Sequence, residues 1–208
     1  MKILAMIIMM SFCCLAQAEV KFQYTTNFYE FDAHGIGDLV KKIKEKGPKI
    51  GNKDAWAIIK WDLNTQYSFK STKNGCNIVV DDMELVANVT LPSWQDVKNK
   101  SAFIRDWWGK YTVFIKQHED LHFESALTSA NKFEKQLLSM NEQLDCKKVR
   151  LNYLILKNQF IVNVDLDDKK IDKRTKRLFY SSDKLFSPLN NHSSVTFESG
   201  GMSSYIRL

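Results

Sequence analysis

Glycine and proline are scarce in this sequence, with 8 and 3 residues in 208, and the chain contains no repeat and no low-complexity tract. These absences argue against a repeat protein and against an extended disordered chain. With 44% hydrophobic and 26% charged residues, the composition is that of one globular domain. We assign this domain to residues 19–180 and expect residues 181–208, rich in Ser, Asn and Gly, to be an irregular C-terminal tail.

The sequence also lacks the pattern of a nucleic-acid-binding surface. The net charge is +6 and the pI is about 9.0, but the lysines are spread along the chain, with small clusters at 41–44 and 169–177. No stripe of basic residues is interleaved with the aromatic residues on which bases stack. We therefore expect no nucleic-acid partner. The basic residues are most simply a solvated face, and a module that binds anionic polymers is a weaker hypothesis.

A long hydrophobic run occurs once, at the N-terminus. One lysine precedes the apolar run, which ends in Ala16-Gln17-Ala18, a small-x-small cleavage signal. We predict a signal peptide over residues 1–18, cut after Ala18, and hence a secreted or periplasmic protein. The mature chain has no second run of this kind, so we expect no transmembrane span in it.

Cys76 and Cys146 are the two cysteines that remain after cleavage. In an exported chain they are most simply one disulfide, which would close a loop of about 70 residues and stabilise the fold by roughly 4 kcal/mol. Two free buried thiols are the alternative.

The residue pattern changes from strand-like to helical near Ser101. Before it, residues 20–33, 55–70 and 76–90 predict strands, and a short helix from Gly35 to Lys46 interrupts them. After it, residues at spacings of three and four form one helical stripe: Ile104, Trp108, Tyr111, Ile115, His118, His122, Ala126, Ser129, Phe133 and Leu137. Residues 147–178 fit either a hairpin or a second helix.

The stripe contains the sequence HEDLH, residues 118–122. His118 and His122 are one helical turn apart on one face, so both imidazoles can reach the same ion. Zn²⁺ suits neutral imidazole and lowers the pKa of bound water to about 7, and Glu119 is placed to accept a proton from that water. The alternative is a pair of hydrogen-bonded core histidines. Asp120, a charge between the two ligands, counts against a peptidase.

A catalytic zinc site needs a third protein ligand. The position six after His122 is Thr128, which excludes the metzincin arrangement. Glu142 has the gluzincin spacing, but an unbroken helix turns it about 200° away from His122. Four further candidates are more simply exposed polar residues: His34, Glu124, Asp145 and His192.

The order of features resembles a bacterial family that is described both as secreted zinc-dependent proteases and as domain of unknown function 922. The shared features are the Tyr29–Leu39 stretch, Gly47-Pro48, the aromatic strand with Trp56 and Trp61, Cys76, Leu91-Pro92-x-Trp94, a helix with Trp107 or Trp108, HEDLH and Asp145-Cys146. The resemblance covers about residues 22–147, and extends more faintly to 178.

The resemblance implies a Cys76–Cys146 disulfide, zinc ligands at His118 and His122, and Glu119 as catalytic base. It also favours a helix for 147–178. In the family a Tyr-Asp-x-x-Thr-x-His-Gly segment follows the second cysteine, and here Asp172 and Thr175 match it while Arg177 replaces the histidine. Asp172 then becomes a candidate oxygen ligand, or the metal site is degenerate.

We therefore predict an α+β, zincin-like fold: a small antiparallel sheet packed on a long HExxH-bearing helix, with a C-terminal helical segment. The predicted function is a zinc-dependent hydrolase, a metallopeptidase acting on a protein or peptide. The alternative is a non-catalytic envelope protein with a degenerate or purely structural metal site.

Overall fold

Three strands form the main sheet, in which the strand that comes last in the chain is central. The computed structural model describes residues 20–140 and 145–180. Strand β1 (Lys21–Phe31) and strand β4 (Ile58–Thr72) lie on either side of β5 (Gly75–Trp94). Strands β4 and β5 form an antiparallel hairpin, whereas β1 runs parallel to β5. The predicted antiparallel sheet is therefore wrong, and the sheet is mixed.

The parallel pairing follows from the connection between β1 and the hairpin. Helix α1 (Ile36–Lys46) and a two-stranded ribbon, β2 (Lys49–Ile50) with β3 (Lys53–Asp54), separate β1 from β4. Phe31 at the end of β1 lies beside Trp94, and Ile58 at the start of β4 pairs with Thr90, so this connection stays at one end of the sheet. Strand β4 then runs antiparallel to β1, and β5 returns between the two strands in the direction of β1. Side-chain alternation shows which face of a strand is buried, but it does not give the strand's direction.

One face of the sheet packs on helix α2 (Ala102–Leu138). Alternate residues of β5 supply the sheet's buried face, and Leu85, Ala87 and Val89 are fully buried. Ser101 caps the helix, since its side chain accepts a hydrogen bond from the backbone N–H of Ile104. The buried residues of α2 follow the predicted stripe with few departures: Trp107, Trp108, Tyr111, Ile115, His118, Glu119, His122, Ala126, Ala130, Phe133, Glu134 and Leu137.

Helix α3 (Cys146–Tyr180) packs along α2, so residues 147–178 form a helix rather than a hairpin. Asp145 caps it by accepting a hydrogen bond from the Lys148 backbone N–H at 2.9 Å. The predicted disulfide is confirmed: Cys76, near the start of β5, is bonded to Cys146, the first residue of α3. The cross-link fixes the start of α3 against the hairpin.

The segments predicted as signal peptide (1–18) and as tail (181–208) lie outside the described residues. Within the described ranges, no helix is both long and apolar enough to cross a membrane.

Candidate metal centre

The HEDLH segment lies in the middle of α2, on the side that faces the interior. His118, Glu119 and His122 are buried, with 5%, 4% and 2% of their surface exposed. The two imidazole rings lie 4.7 Å apart between centroids, and their Nε2 atoms are 3.3 Å apart. Both rings therefore point the same nitrogen at one shared position.

Helix α3 brings a carboxylate to the same position. Asp172 Oδ1 lies 3.2 Å from His122 Nε2 and 3.5 Å from His118 Nε2. Two imidazole nitrogens and one carboxylate oxygen thus form a nearly equilateral triangle with sides of 3.2, 3.3 and 3.5 Å. Within the described part of the chain, these three residues are the group whose spacing could hold a metal ion.

The dimensions of this triangle match those of a tetrahedral ion. Zinc binds imidazole nitrogen and carboxylate oxygen at about 2.0–2.2 Å, which separates ligand atoms by about 3.3–3.6 Å in a tetrahedron. Like-polarity atoms brought this close in a buried site repel one another unless a cation or proton lies between them. The donor set, two imidazoles and one carboxylate, is one that zinc accepts.

The remaining nitrogen of each histidine has a buried partner on α3. His122 Nδ1 lies 2.6 Å from Asp168 Oδ1, and His118 Nδ1 lies 2.8 Å from Thr175 Oγ1. A carboxylate can only accept, so Nδ1 of His122 carries the hydrogen of that pair and Nε2 is left for an ion. These contacts hold both rings in the orientation that ligation requires.

The pKa values of the site reflect this crowding. Burial lowers the pKa of His122, but the hydrogen bonds to Asp168 and Asp172 outweigh burial and raise the pKa to about 10. Burial also dominates at His118 and lowers its pKa. Before a cation binds, His122 is therefore protonated at neutral pH and His118 is neutral, so a cation entering the cluster displaces a proton from His122.

Glu119 lies between the metal cluster and the sheet. Its carboxylate accepts a hydrogen bond from the backbone N–H of Ile59, on β4. Burial raises the pKa of Glu119 to about 7. The charge of His122 acts to lower this pKa, and the charge of Asp172 acts to raise it. A carboxyl group with a pKa near neutrality is suited to exchanging protons.

Asp120, whose charge counted against a peptidase, is turned away from the cluster. Its carboxylate accepts a hydrogen bond from the Tyr24 hydroxyl at 2.8 Å and is paired with Lys116 at 2.6 Å. Residues two apart on a helix point about 200° away from each other, so Asp120 cannot lie beside the ligands on either side of it.

Among the described residues, the other predicted third ligands do not join the cluster. His34 and Glu124 are exposed, and Asp145 caps α3. Glu142 and His192 lie outside the described residues. Arg177 belongs to α3, but the side chains of that helix are described only through Lys176.

Sequence reasoning missed Asp168, the buried partner of His122. A helical spacing of three from Val164 falls on Asp167, but its neighbour Asp168 is the residue that is 2% exposed. The available signal was the spacing of four from Val164 to Asp168 and from Asp168 to Asp172, which keeps all three on one face.

The fold and the site define an α+β protein in which two long helices present a His–His–Asp cluster with metal-binding spacing. The chain belongs to a bacterial family whose description reads "Bacterial protein of unknown function (DUF922)", and the family match covers residues 26–178. That range includes the sheet except for the first five residues of β1, all of α2 and every residue of the cluster. Comparisons with curated proteins and with solved structures found no match.

Proposed function

We propose that this chain is an exported zinc-dependent hydrolase, and that its substrate is a polypeptide. The observation that carries the proposal is the triangle of His118 Nε2, His122 Nε2 and Asp172 Oδ1, whose sides of 3.2–3.5 Å suit a tetrahedral ion. Structural zinc sites close with four protein ligands, whereas catalytic sites use three and keep one position open. Three ligands in the described residues favour the catalytic type.

The chemistry divides between the ion and Glu119. Zinc held in the cluster would lower the pKa of a water molecule to about 7 and polarise a substrate carbonyl. Glu119 would accept the proton of the attacking water and deliver it to the leaving nitrogen. Its buried position, in the same helical turn as both histidines, supports this role.

A polypeptide substrate is supported by the edge of the sheet beside Glu119. Strand β4 is an edge strand, and its Ile59 donates its backbone N–H to Glu119. Beginning two residues after Ile59, a groove of about 1060 Å³ is lined by β4, including Trp61, Leu63 and Tyr67, and by residues of β5, α2 and α3. An extended peptide can add to an unpaired edge strand through main-chain hydrogen bonds. Such a peptide would pass close to the proposed base.

One observation favours a second candidate function, a non-catalytic protein with a purely structural metal site. His118 and His122 are almost fully buried, and only Asp172, with 23% of its side chain exposed, offers a route to solvent. A site this closed suits an ion that stabilises the packing of α2 and α3.

The test measures metal content and peptide cleavage in the wild-type protein and in three variants, Glu119→Gln, Glu124→Gln and His118→Ala. Wild-type protein, purified without added zinc, is expected to contain one zinc per chain and to cleave an unfolded protein substrate. The Glu119→Gln variant should keep its zinc and lose cleavage by about a hundredfold or more, since general bases contribute on this scale. Glu124→Gln, an exposed glutamate on the same helix, is the matched control and should behave as wild type.

The outcomes separate the two candidate functions. Stoichiometric zinc without cleavage in any protein supports the structural metal site. Cleavage that survives Glu119→Gln refutes the proposed base. Protein that takes up no zinc, or that takes up as much in His118→Ala as in the wild type, refutes the metal centre itself.

A further inference from the structure

Helix α3 carries a second apolar face, directed away from the core. Five large aliphatic side chains lie on it with 44–57% of their surface exposed: Leu151, Leu154, Ile155, Val162 and Leu166. At 100° per residue, the centre of these five positions lies about 160° around the helix axis from the centre of the buried face, which contains Val149, Phe160 and Val164. This outer apolar face is about 22 Å long and forms the outside of the helix.

Basic residues bracket the outer apolar face at both ends. Lys147 and Lys148 precede Leu151, and Lys169, Lys173 and Lys176 follow Leu166 at positions with the same orientation. All five lysines are exposed. Asp165 shares this orientation and pairs with Lys169, so the C-terminal end keeps a net charge of about +2 from Lys169, Lys173, Lys176 and Asp165. The surface thus combines two apolar patches, which the exposed Asn158 separates, with positively charged ends.

The charge pattern argues against a second copy of the chain as the occupant. In an antiparallel pair of α3 helices, Leu151 meets Leu166 when the helices cross near residue 158. The same alignment places Lys148 opposite Lys169 at both ends of the interface. A parallel pair brings each lysine next to its own copy. Either symmetric arrangement places like charges together and is destabilised by them.

The C-terminal tail of the chain also offers no complementary charge. Residues 181–208 contain two acidic residues, Asp183 and Glu198, and two basic residues, Lys184 and Arg207, so their net charge is zero. The occupant that matches both the apolar patches and the basic ends is an anionic amphiphilic surface.

We propose that the outer apolar face of α3 binds an anionic phospholipid membrane, with the helix axis in the plane of the surface. Helices that lie in the membrane interface bury an apolar face while lysines next to that face contact lipid headgroups. Each lysine close to an anionic surface adds attraction that salt screens. This proposal is independent of the candidate metal cluster, because Asp172, the member of the cluster on α3, contacts the histidines of α2.

The test measures flotation of the full-length mature protein with lipid vesicles. Vesicles of equal parts phosphatidylglycerol and phosphatidylcholine should bind the protein, and vesicles of phosphatidylcholine alone should bind it at least tenfold more weakly. Binding should weaken as NaCl is raised from 50 to 500 mM. The double variants Val162→Asn/Leu166→Gln and Lys169→Glu/Lys173→Glu should each reduce binding about tenfold or more. All four positions are exposed, so the variants should fold.

Matched controls change the same chemistry elsewhere on the surface. Val113→Asn/Leu138→Gln removes two aliphatic side chains of α2 that are each 55% exposed. Lys41→Glu/Lys110→Glu reverses two exposed lysines and gives the same net charge as the α3 variant. Both controls should retain binding, apart from a small general charge effect for the second.

Three results would overturn the proposal. Equal binding to both vesicle types would show that lipid charge does not contribute. If the control variants lose as much vesicle binding as the α3 variants, the outer apolar face is not the binding surface. Absence of vesicle binding, together with a concentration-dependent dimer that Val162→Asn/Leu166→Gln abolishes, would make the face a self-association surface instead.

Discussion

Replacing Asp168 with asparagine tests the candidate metal centre without touching a ligand. Asp168 is buried and lies 2.6 Å from His122 Nδ1, on the side of the ring that faces away from the cluster. Asparagine keeps the shape and can still accept a hydrogen bond through its amide oxygen. The substitution therefore removes one negative charge and leaves the ring's position largely unchanged.

Two magnitudes follow from this change. A carboxylate behind a metal-bound imidazole raises its basicity, and its loss typically weakens metal affinity 10–100-fold, or about 1.4–2.7 kcal/mol. The pKa of His122, raised to about 10 largely by Asp168 and Asp172, should fall toward its ordinary value in the variant. At pH 8 wild-type protein should thus release close to one proton from His122 on binding zinc, and Asp168→Asn distinctly less.

Isothermal titration calorimetry of zinc into chelator-treated protein measures both quantities. Repeating the titration in buffers with different ionisation enthalpies gives the number of protons released. Asp165→Asn, a half-exposed residue on the same helix, is the control and should match wild type in affinity and proton count. If Asp168→Asn binds zinc as tightly as wild type with the same proton release, Asp168 does not orient His122 and the proposed geometry of the site is wrong.

Three further predictions concern stability. Reducing the Cys76–Cys146 disulfide, or replacing both cysteines with serine, should destabilise the fold by roughly 4 kcal/mol, because the bond closes a loop of 70 residues. The midpoint of urea unfolding should therefore fall, and an unchanged midpoint would contradict this prediction. Thr175→Val leaves the buried Nδ1 of His118 without its partner at 2.8 Å and should cost about 1–3 kcal/mol in urea unfolding, whereas Thr175→Ser should cost less. Because the folded-state pKa of His122 is raised to about 10 from 6.5, its contribution to the stability of zinc-free protein is complete below pH 6.5 and is lost as the pH rises through about 10. Thermal unfolding from pH 6 to 10 should show this decline, and His122→Gln should flatten it.

The helical parts of the fold were readable from the sequence because their side-chain period is strong. The stripe through α2 was correct from Trp108 to Leu137, with a one-residue error at Ser129, which is only partly buried beside the fully buried Ala130. The period cannot resolve such neighbours, since residues adjacent in sequence differ by only 100° around the helix. Helix α3 was ambiguous because β-branched residues such as Ile155 and Val162 also suit strands.

The relation between the two helices was not readable. His118 and His122 could be predicted to form a pair, because a spacing of four residues on one helix brings their side chains together. Asp172 had only a resemblance to support it, since its distance from His122 depends on how α3 packs along α2. The parallel pairing of β1 could not be predicted for the same reason, because strand pairing across a long connection depends on the tertiary structure.

The proposed metal site and the packing of α3 should depend on each other, because the candidate ligands lie on both helices. The disulfide fixes α3 at Cys146, while Asp168 and Asp172 hold its second half against the histidines of α2. An ion that binds only the packed state stabilises it by RT ln(1 + [L]/Kd), about 2.7 kcal/mol at a hundredfold excess over Kd. Chelation should therefore speed amide hydrogen exchange in residues 164–176 far more than in 147–156. An ion that is bound between two helices must resist their separation. If zinc removal does not change the exchange rates in residues 164–176 relative to those in 147–156, the packing of α3 does not depend on the metal.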